Sequence, residues 1–256
     1  MLLAIDSGNT NVVFAVYDGG DCKGVWRCSN DPKRTADEYA VWLRQLMGLQ
    51  SLDTGSVDAA IIASVVPEAL FHLVSLCHRY FGCEPMVVGE KGVELGIEIL
   101  MDRPEQVGAD RLVNAVAAHD RYHKAVIVVD FGTATTFDIV DGDGNYAGGV
   151  IAPGINLSLE ALYMAASKLP RVDIKATEKV IGKATEPAMQ SGIFWGYVGL
   201  IEGLVKRIRA ERDEDMAVIA TGGLAPMFAE ATDLFEKVDR DLTIHGLLLI
   251  HRRNAK

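Results

Sequence analysis

The feature that most limits what this chain can fold into is a duplication. Asp6 and Asp130 each close a short apolar run, stand two residues before a glycine, and lead into small hydroxyl or amide residues. The first copy reads Leu2-Leu3-Ala4-Ile5-Asp6-Ser7-Gly8-Asn9-Thr10-Asn11, and the second Val126-Ile127-Val128-Val129-Asp130-Phe131-Gly132-Thr133-Ala134-Thr135. A second apolar run and an Asp/Gly turn follow each copy, at Asp18-Gly19-Gly20 and at Asp141-Gly142-Asp143-Gly144. A strand that turns through glycine into another strand is a β-hairpin whose tip exposes backbone N–H groups.

Such a tip suits phosphate. Glycine lets an anion approach the backbone, Ser, Thr and Asn donate hydrogen bonds, and the Asp can position a hydrated Mg²⁺. Two tips facing each other would hold a polyphosphate from both sides. The plainer reading of each Asp-x-Gly is a tight turn and nothing more, and a single copy does not separate the two. The second copy favours the phosphate reading.

The order of elements repeats as well. Apolar patterning predicts strands over 2–6, 12–18 and 24–28, a helix over 35–48, a strand over 58–63, a helix over 67–81 and a short strand over 86–88. The helix at 35–48 opens at Thr35 with Asp37 and Glu38 in its first turn, as an N-terminus requires. Residues 89–107 read as a connector, and from Gly108 Leu112, Val113, Val116 and Ala117 recur at helical spacing. Strands over 125–130, 134–140 and 145–151, helices over 156–166 and 187–211, a strand over 217–221 and further helices complete the second half. Ala60-Ile61-Ile62-Ala63-Ser64 and Ala217-Val218-Ile219-Ala220-Thr221 match as apolar strands that end in a hydroxyl residue. The expectation is two α/β domains, 1–122 and 123–256, with ligand in a cleft between them. Gly222-Gly223 would there allow close approach of an adenosine, or would be a plain strand-to-helix loop.

Composition removes other classes. The 256 residues carry a net charge of −10, which does not supply the basic face that nucleic acid needs. With no apolar run of the ~18 residues that a membrane span requires and no basic leader, the chain is expected to be cytoplasmic and without a membrane partner. Cys22, Cys28, Cys77 and Cys83 fall in pairs with five intervening residues. That spacing matches neither a redox C-x-x-C nor a zinc ribbon, and buried free thiols are expected.

Between the two copies lies Gly108-Ala109-Asp110-Arg111 at a helix start. Acid and base at such a position serve as ordinary capping and solvated charge. Alternatively, Asp110 takes the proton from an attacking hydroxyl while Arg111 holds an anionic group. Phosphoryl transfer needs mainly positioning and charge neutralisation, and one carboxylate base, one cation and Mg²⁺ suffice.

Asp6-Ser7-Gly8-Asn9-Thr10-Asn11, Gly108-Ala109-Asp110-Arg111, Asp130-Phe131-Gly132-Thr133-Ala134-Thr135 and Thr221-Gly222-Gly223, in this order over essentially the whole chain, resemble the motifs of the type III pantothenate kinases. That resemblance implies the acetate and sugar kinase, Hsp70 and actin superfamily fold: α/β, with two ribonuclease-H-like domains flanking a nucleotide cleft. It implies a cytoplasmic homodimer that phosphorylates pantothenate with ATP, the first step of coenzyme A synthesis. It further implies that Asp6, Ser7, Gly8, Asn9, Thr10, Asn11, Val12 and Val13 bind ATP, with Mg²⁺ held at Asp6 through the phosphates, and that Thr133 contacts ATP. Asp130 would hold K⁺ or NH₄⁺. Gly108, Ala109, Asp110 and Arg111 would bind pantothenate with Asp110 as general base, and Thr185 would be a further substrate contact near the dimer interface. A monovalent cation fits a chain with no Walker A lysine.

The chain departs from the family pattern at Met101, where many members carry a tyrosine, and at Ala184, where asparagine is common. Both changes bear on pantothenate contacts and leave the ATP side intact. Two rival functions remain open at this level: a kinase for another small hydroxyl compound such as a sugar, and a nucleotide-binding regulatory homologue that has lost catalysis.

Overall fold

The computed structural model describes residues 1–166 and 169–255. These divide into two compact units, one formed by Met1–Arg121 with the C-terminal stretch from Asp241, the other by Tyr122–Arg240.

The first unit is built on five strands: β1 (Leu2–Ser7), β2 (Asn11–Asp18), β3 (Asp21–Ser29), β4 (Ala59–Ser64) and β5 (Pro85–Val87). They lie in the order β3-β2-β1-β4-β5. β1 pairs antiparallel with β2 and parallel with β4, and β4 is parallel to β5. Leu2 to Ile5 are all buried because both faces of β1 are covered, which explains a continuous apolar run where a one-sided strand would alternate.

On one face, Leu3, Ile5, Phe14 and Ile62 pack under Tyr39, Leu43 and Met47 of α1 (Ala36–Leu49) and Leu73 and Leu76 of α2 (Pro67–Leu76). α1 starts where its sequence predicts, with a capping box in which Thr35 Oγ1 accepts the Glu38 N–H at 3.3 Å and Glu38 Oε2 accepts the Thr35 N–H at 2.8 Å. The single helix expected over 67–81 instead widens into a π-helical turn at Cys77–Phe81. Gly82, left-handed at φ 67°, stops it by returning its N–H to the Cys77 carbonyl. Cys77 and Cys83 are buried free thiols as expected, whereas Cys22 is exposed and Cys28 half-buried.

On the other face, Leu2, Ala4, Val13, Ala15 and Ile61 pack against Val113 and Val116 of α3 (Ala109–Tyr122) and Ile244, Leu247, Leu248 and Ile250 of α7 (Leu242–Asn254). A sequence boundary drawn at 122/123 thus assigns α7 to the second domain, but its apolar face completes the core of the first. α7 and α3 meet backbone to side: a methyl on Gly246 would overlap the Val113 carbonyl. Thr243 Oγ1 donates to Asn114 Oδ1 at 2.7 Å and His245 Nε2 lies 3.0 Å from Asp120 Oδ2, so α7 fixes the helix that carries Asp110 in its first turn.

The second unit repeats the first sheet: β6 (Val126–Phe131), β7 (Ala134–Val140), β8 (Tyr146–Pro153), β9 (Ala217–Gly222) and β10 (Lys237–Val238) run in the order β10-β9-β6-β7-β8. β6 is antiparallel to β7 and parallel to β9, so β6 to β10 stand for β1 to β5 in turn. Even a register shift recurs in the hairpin, between Val16 and Tyr17 in one and between Ile139 and Val140 in the other. α4 (Ile155–Ala165), α5 (Thr185–Arg212) and α6 (Ala225–Ala229) complete the unit. Phe194, Tyr197, Val198 and Ile201 of α5 and Phe228 of α6 cover Ile127, Val129 and Phe137, with Phe228 stacked between Phe131 at 5.0 Å and Phe194 at 5.4 Å.

Candidate functional site

The first hairpin tip lies between Ser7 and Val12, which face each other at the end of the β1–β2 ladder. The Gly8 N–H donates to the Asn11 carbonyl at 3.0 Å, and Asn9, Thr10 and Asn11 are exposed. A methyl at Gly8 would meet its nearest neighbour, Asn11 O, at an ordinary 3.6 Å. Packing within the chain therefore does not demand glycine here, and close approach of a ligand to the backbone supplies a physical reason for it. Val12 and Val13 are core residues, so their side chains do not reach the surface of the tip; only their backbone is available for the expected nucleotide contacts.

The chain fixes this tip from the far end of β3. Asn30 Nδ2 donates to the Gly8 carbonyl at 2.6 Å and to Ser7 Oγ at 3.3 Å, and the Asn30 N–H donates to the Thr10 carbonyl at 2.8 Å. Asn30 Oδ1 is buried with no hydrogen-bond partner among the described residues.

The start of α3 borders the same strand ends. The Val65 N–H donates to the Ser7 carbonyl at 3.1 Å. Val65 Cγ1 in turn lies 3.5 Å from where a Gly108 Cβ would be, and Asp110 Oδ1 only 2.6 Å from it. Gly108 is thus the residue over which the Asp110 carboxylate folds back. Asp110 Oδ1 accepts the Arg111 N–H at 2.8 Å. Burial pushes the Asp110 carboxyl above the usual carboxylate range, and the Arg111 N–H and guanidinium charge oppose that shift only in part. A plain capping carboxylate at a helix start is held down rather than pushed up. A buried carboxylate with a raised pKa suits a general base.

In the second unit, Asp130 lies opposite Thr136 on one side and Thr221 on the other. Gly222, at φ 90°, passes so close that a methyl there would come within 2.6 Å of both Asp130 Oδ1 and the Phe131 carbonyl. The demand for glycine at 222 is thus internal to the unit, and of the Gly222-Gly223 pair only Gly223, with nothing within 4 Å, faces open space. The second tip is one residue tighter than the first, Phe131 facing Thr135 across it, and its Gly132 N–H donates to the Ala134 carbonyl at 3.0 Å. Thr133 is exposed at its apex. Behind it, a methyl on Gly154 would overlap the Thr133 carbonyl. Tyr197 OH donates to the Pro153 carbonyl at 2.7 Å and lies 2.5 Å from Thr135 Oγ1, tying the tip to α5. Thr185, exposed, is the first residue of α5, whose N-cap Ala184 offers no side-chain acceptor.

Two candidate ion positions can be weighed on donor chemistry. The Asp130 carboxylate sits beside two glycines and the Phe131 carbonyl, a cradle that a Cβ at 222 would fill. One carboxylate with backbone carbonyls offers hard oxygen at low charge, which fits a weakly held monovalent cation. Asp6 is one half-buried carboxylate, in keeping with Mg²⁺ held largely by water and phosphate oxygens. Among the described residues no group of three or more His, Cys, Asp or Glu could hold a metal without such help.

The first unit therefore gathers Asp6 to Asn11 and Gly108 to Arg111 at neighbouring strand ends, and the second carries Asp130, Thr133 and Thr185. Sequence reasoning missed Asn30 and Tyr197. Asn30 is 22 residues from the carbonyl it holds, and its only local signal is an amide at the end of an apolar-patterned strand.

Comparison with known proteins gives a consistent result. The family model for type III pantothenate kinase matches residues 2–207. A type III pantothenate kinase of Paramagnetospirillum magneticum is 68% identical over 255 residues, covering 100% of this chain and 98% of that one. Another from Rhodospirillum rubrum is 67% identical over 254 residues, covering 99% of each. Among solved structures, an activator of 2-hydroxyisocaproyl-CoA dehydratase from Clostridium difficile with bound ADPNP has a TM-score of 0.57 at 11% identity, covering 99% of this chain and 95% of that one. Component A of (R)-2-hydroxyglutaryl-CoA dehydratase from Acidaminococcus fermentans has a TM-score of 0.54 at 13% identity, covering 100% and 99%. At such identities the likeness concerns the fold alone.

Proposed function

The chain belongs to the type III pantothenate kinase family, and from that membership we propose how its residues divide the work of phosphorylating pantothenate with ATP. The activity itself, ATP-dependent transfer of a phosphoryl group to pantothenate giving 4′-phosphopantothenate and ADP, follows from the family and from relatives identical at two positions in three. The fold is that of the acetate and sugar kinase, Hsp70 and actin superfamily.

In this reading the tip at Asp6 to Asn11 holds the phosphate chain through backbone N–H groups and the Ser, Asn and Thr side chains, with Val12 and Val13 contributing backbone only. Mg²⁺, when bound at Asp6 through the phosphates, supplies charge neutralisation. Asp110 accepts the proton of the pantothenate hydroxyl as that oxygen attacks the γ-phosphorus, and Arg111 with Gly108 and Ala109 positions the acid. Thr133 contacts ATP, Asp130 holds K⁺ or NH₄⁺, and Thr185 contacts pantothenate. The observation that carries the reading is the Asp110 carboxylate, raised by burial in the first turn of α3, which borders the strand ends of the first tip through Val65.

A homodimer assembled through the second unit is part of the proposal. Within that unit, the stretch from 151 to 181 carries exposed apolar side chains, with Ile151 at 64% exposure, Leu157, Met164 at 73%, Val180 and Ile181 at 82%, surface that a partner subunit would cover. No helix among the described residues is long and apolar enough to cross a membrane, and a cytoplasmic location is proposed with the activity.

The test is ADP release with ATP and pantothenate in K⁺, then in Na⁺ or a bulky organic cation, alongside a panel of sugars. Turnover of pantothenate that needs K⁺ or NH₄⁺ is expected. Faster turnover of a sugar would refute the substrate assignment, and full activity without K⁺ or NH₄⁺ would refute the role of Asp130.

A further inference from the structure

Asn30 lies outside every motif that identifies the family, yet three of the hydrogen bonds that shape the first tip come from it. Its side-chain nitrogen reaches the Gly8 carbonyl at 2.6 Å and Ser7 Oγ at 3.3 Å, and its backbone N–H reaches the Thr10 carbonyl at 2.8 Å. A carbonyl can only accept, so the short contact to Gly8 settles the amide's orientation: Nδ2 faces the tip and Oδ1 faces away. Oδ1 is left buried without a partner among the described residues. That arrangement carries a desolvation cost that an apolar side chain of similar size would avoid.

The geometry points to Asn30 as the positioning residue that makes this tip receptive to phosphate. Across a planar trans peptide the C=O of one residue and the N–H of the next point in opposite directions. Turning the Gly8 carbonyl toward Asn30 turns the Asn9 N–H away from it, and turning the Thr10 carbonyl toward Asn30 does the same for the Asn11 N–H. Asn9 and Asn11 are exposed, and in this scheme their N–H groups, directed away from Asn30, form the nest that meets the anion. With the amide removed, the Gly8 carbonyl is free to turn outward, which would present oxygen to oxygen. Asn30 touches neither ATP nor pantothenate in this scheme and acts only through the tip. The inference rests on the reading of that tip as the ATP phosphate site.

The experiment compares ATP with adenosine, which lacks the phosphate chain, by isothermal titration calorimetry on the full-length wild type, Asn30→Ala and Asn30→Asp. Loss of the Asn30 amide contacts should weaken ATP binding by about tenfold or more, from the usual worth of a hydrogen bond and the tenfold-per-1.4 kcal/mol relation. Adenosine affinity and the KM for pantothenate should stay within about twofold of wild type. Asn30→Asp, matched in size and retaining the backbone bond to Thr10, should lose ATP more severely because it faces the Gly8 carbonyl and the phosphates with negative charge. It also provides the comparison if Asn30→Ala does not fold. Equal loss of ATP and adenosine, or undiminished ATP binding by either variant, would overturn the role of Asn30. Wild-type protein that bound ATP no better than adenosine would instead overturn the phosphate reading of the tip.

Discussion

Substituting Gly222 by alanine isolates the internal demand for glycine beside Asp130. The residue sits at φ 90°, where an L side chain is strained, and its Cβ would come within 2.6 Å of Asp130 Oδ1 and the Phe131 carbonyl and 2.7 Å of the Phe131 nitrogen. The backbone term costs about 1–2 kcal/mol, and forcing a methyl into filled space about 1–3 kcal/mol more, together roughly 2–5 kcal/mol. At about 2–4 °C per kcal/mol for a protein of this size, Tm should fall by at least ~4 °C. The Phe131 backbone belongs to the central strand of its sheet, so the Asp130 carboxylate is the part that yields, and stimulation of turnover by K⁺ should weaken along with stability. Gly223→Ala is the internal control: nothing lies within 4 Å of its Cβ position and its φ is not left-handed, so its Tm should stay within ~1 °C. Differential scanning calorimetry of both variants, with ADP release at several K⁺ concentrations, reads both effects. A Gly222→Ala protein that melts with the wild type and keeps its full K⁺ response would refute the steric argument.

Asp110→Asn should lower kcat by about 10²–10⁴-fold, the usual contribution of a general base, with ATP affinity nearly unchanged; near-wild-type turnover would remove Asp110 from the chemistry. The same variant carries a pH signature. Because burial raises the Asp110 carboxyl in the folded protein, the folded state binds its proton more tightly than the unfolded chain. Wild-type stability is therefore lost as pH climbs from the unfolded value of about 3.9 through the raised folded one. The Tm advantage of Asp110→Asn should be smallest in acid and reach a plateau near neutrality, and a gap independent of pH would argue against a desolvated carboxylate. At the start of α5, Ala184 has extended backbone angles and no side-chain acceptor; Ala184→Asn should add the missing cap, worth about 0.5–2 kcal/mol, seen as a rise in Tm, and an unchanged or lower Tm would count against it.

Much of this architecture was legible because the two central strands are buried on both faces. Leu2 to Ile5 and Val126 to Val129 read as uninterrupted apolar runs, and the aspartates that end them mark where each strand reaches its tip. The helix start at Gly108 was legible for a similar reason, since Leu112, Val113, Val116 and Ala117 announce a buried helical face. What stayed hidden depends on contacts distant in sequence. Gly222 reads as a loop glycine or an adenosine contact until β9 is paired with β6 in register with Asp130. Asn30 becomes part of the first tip only once β3 is laid beside β2. The two-residue strand β10 is too short to give a period, and the π-helical turn at Cys77 keeps the apolar pattern of the helix it extends.

The return of α7 to the first unit also bears on how the chain acquires its structure during synthesis. Translation delivers the first tip and the Asp110 helix early, but the cover over Leu2, Ala4 and Ile61 that Val113 and Val116 begin is completed only with Ile244 to Ile250. Until then that side of the sheet has no α7 over it, and the intervening unit must emerge from the ribosome before the gap can close. Nascent chains stalled before residue 242 should consequently present a sticky sheet face to chaperones, and the helix that carries Asp110, made early, becomes firmly seated among the last.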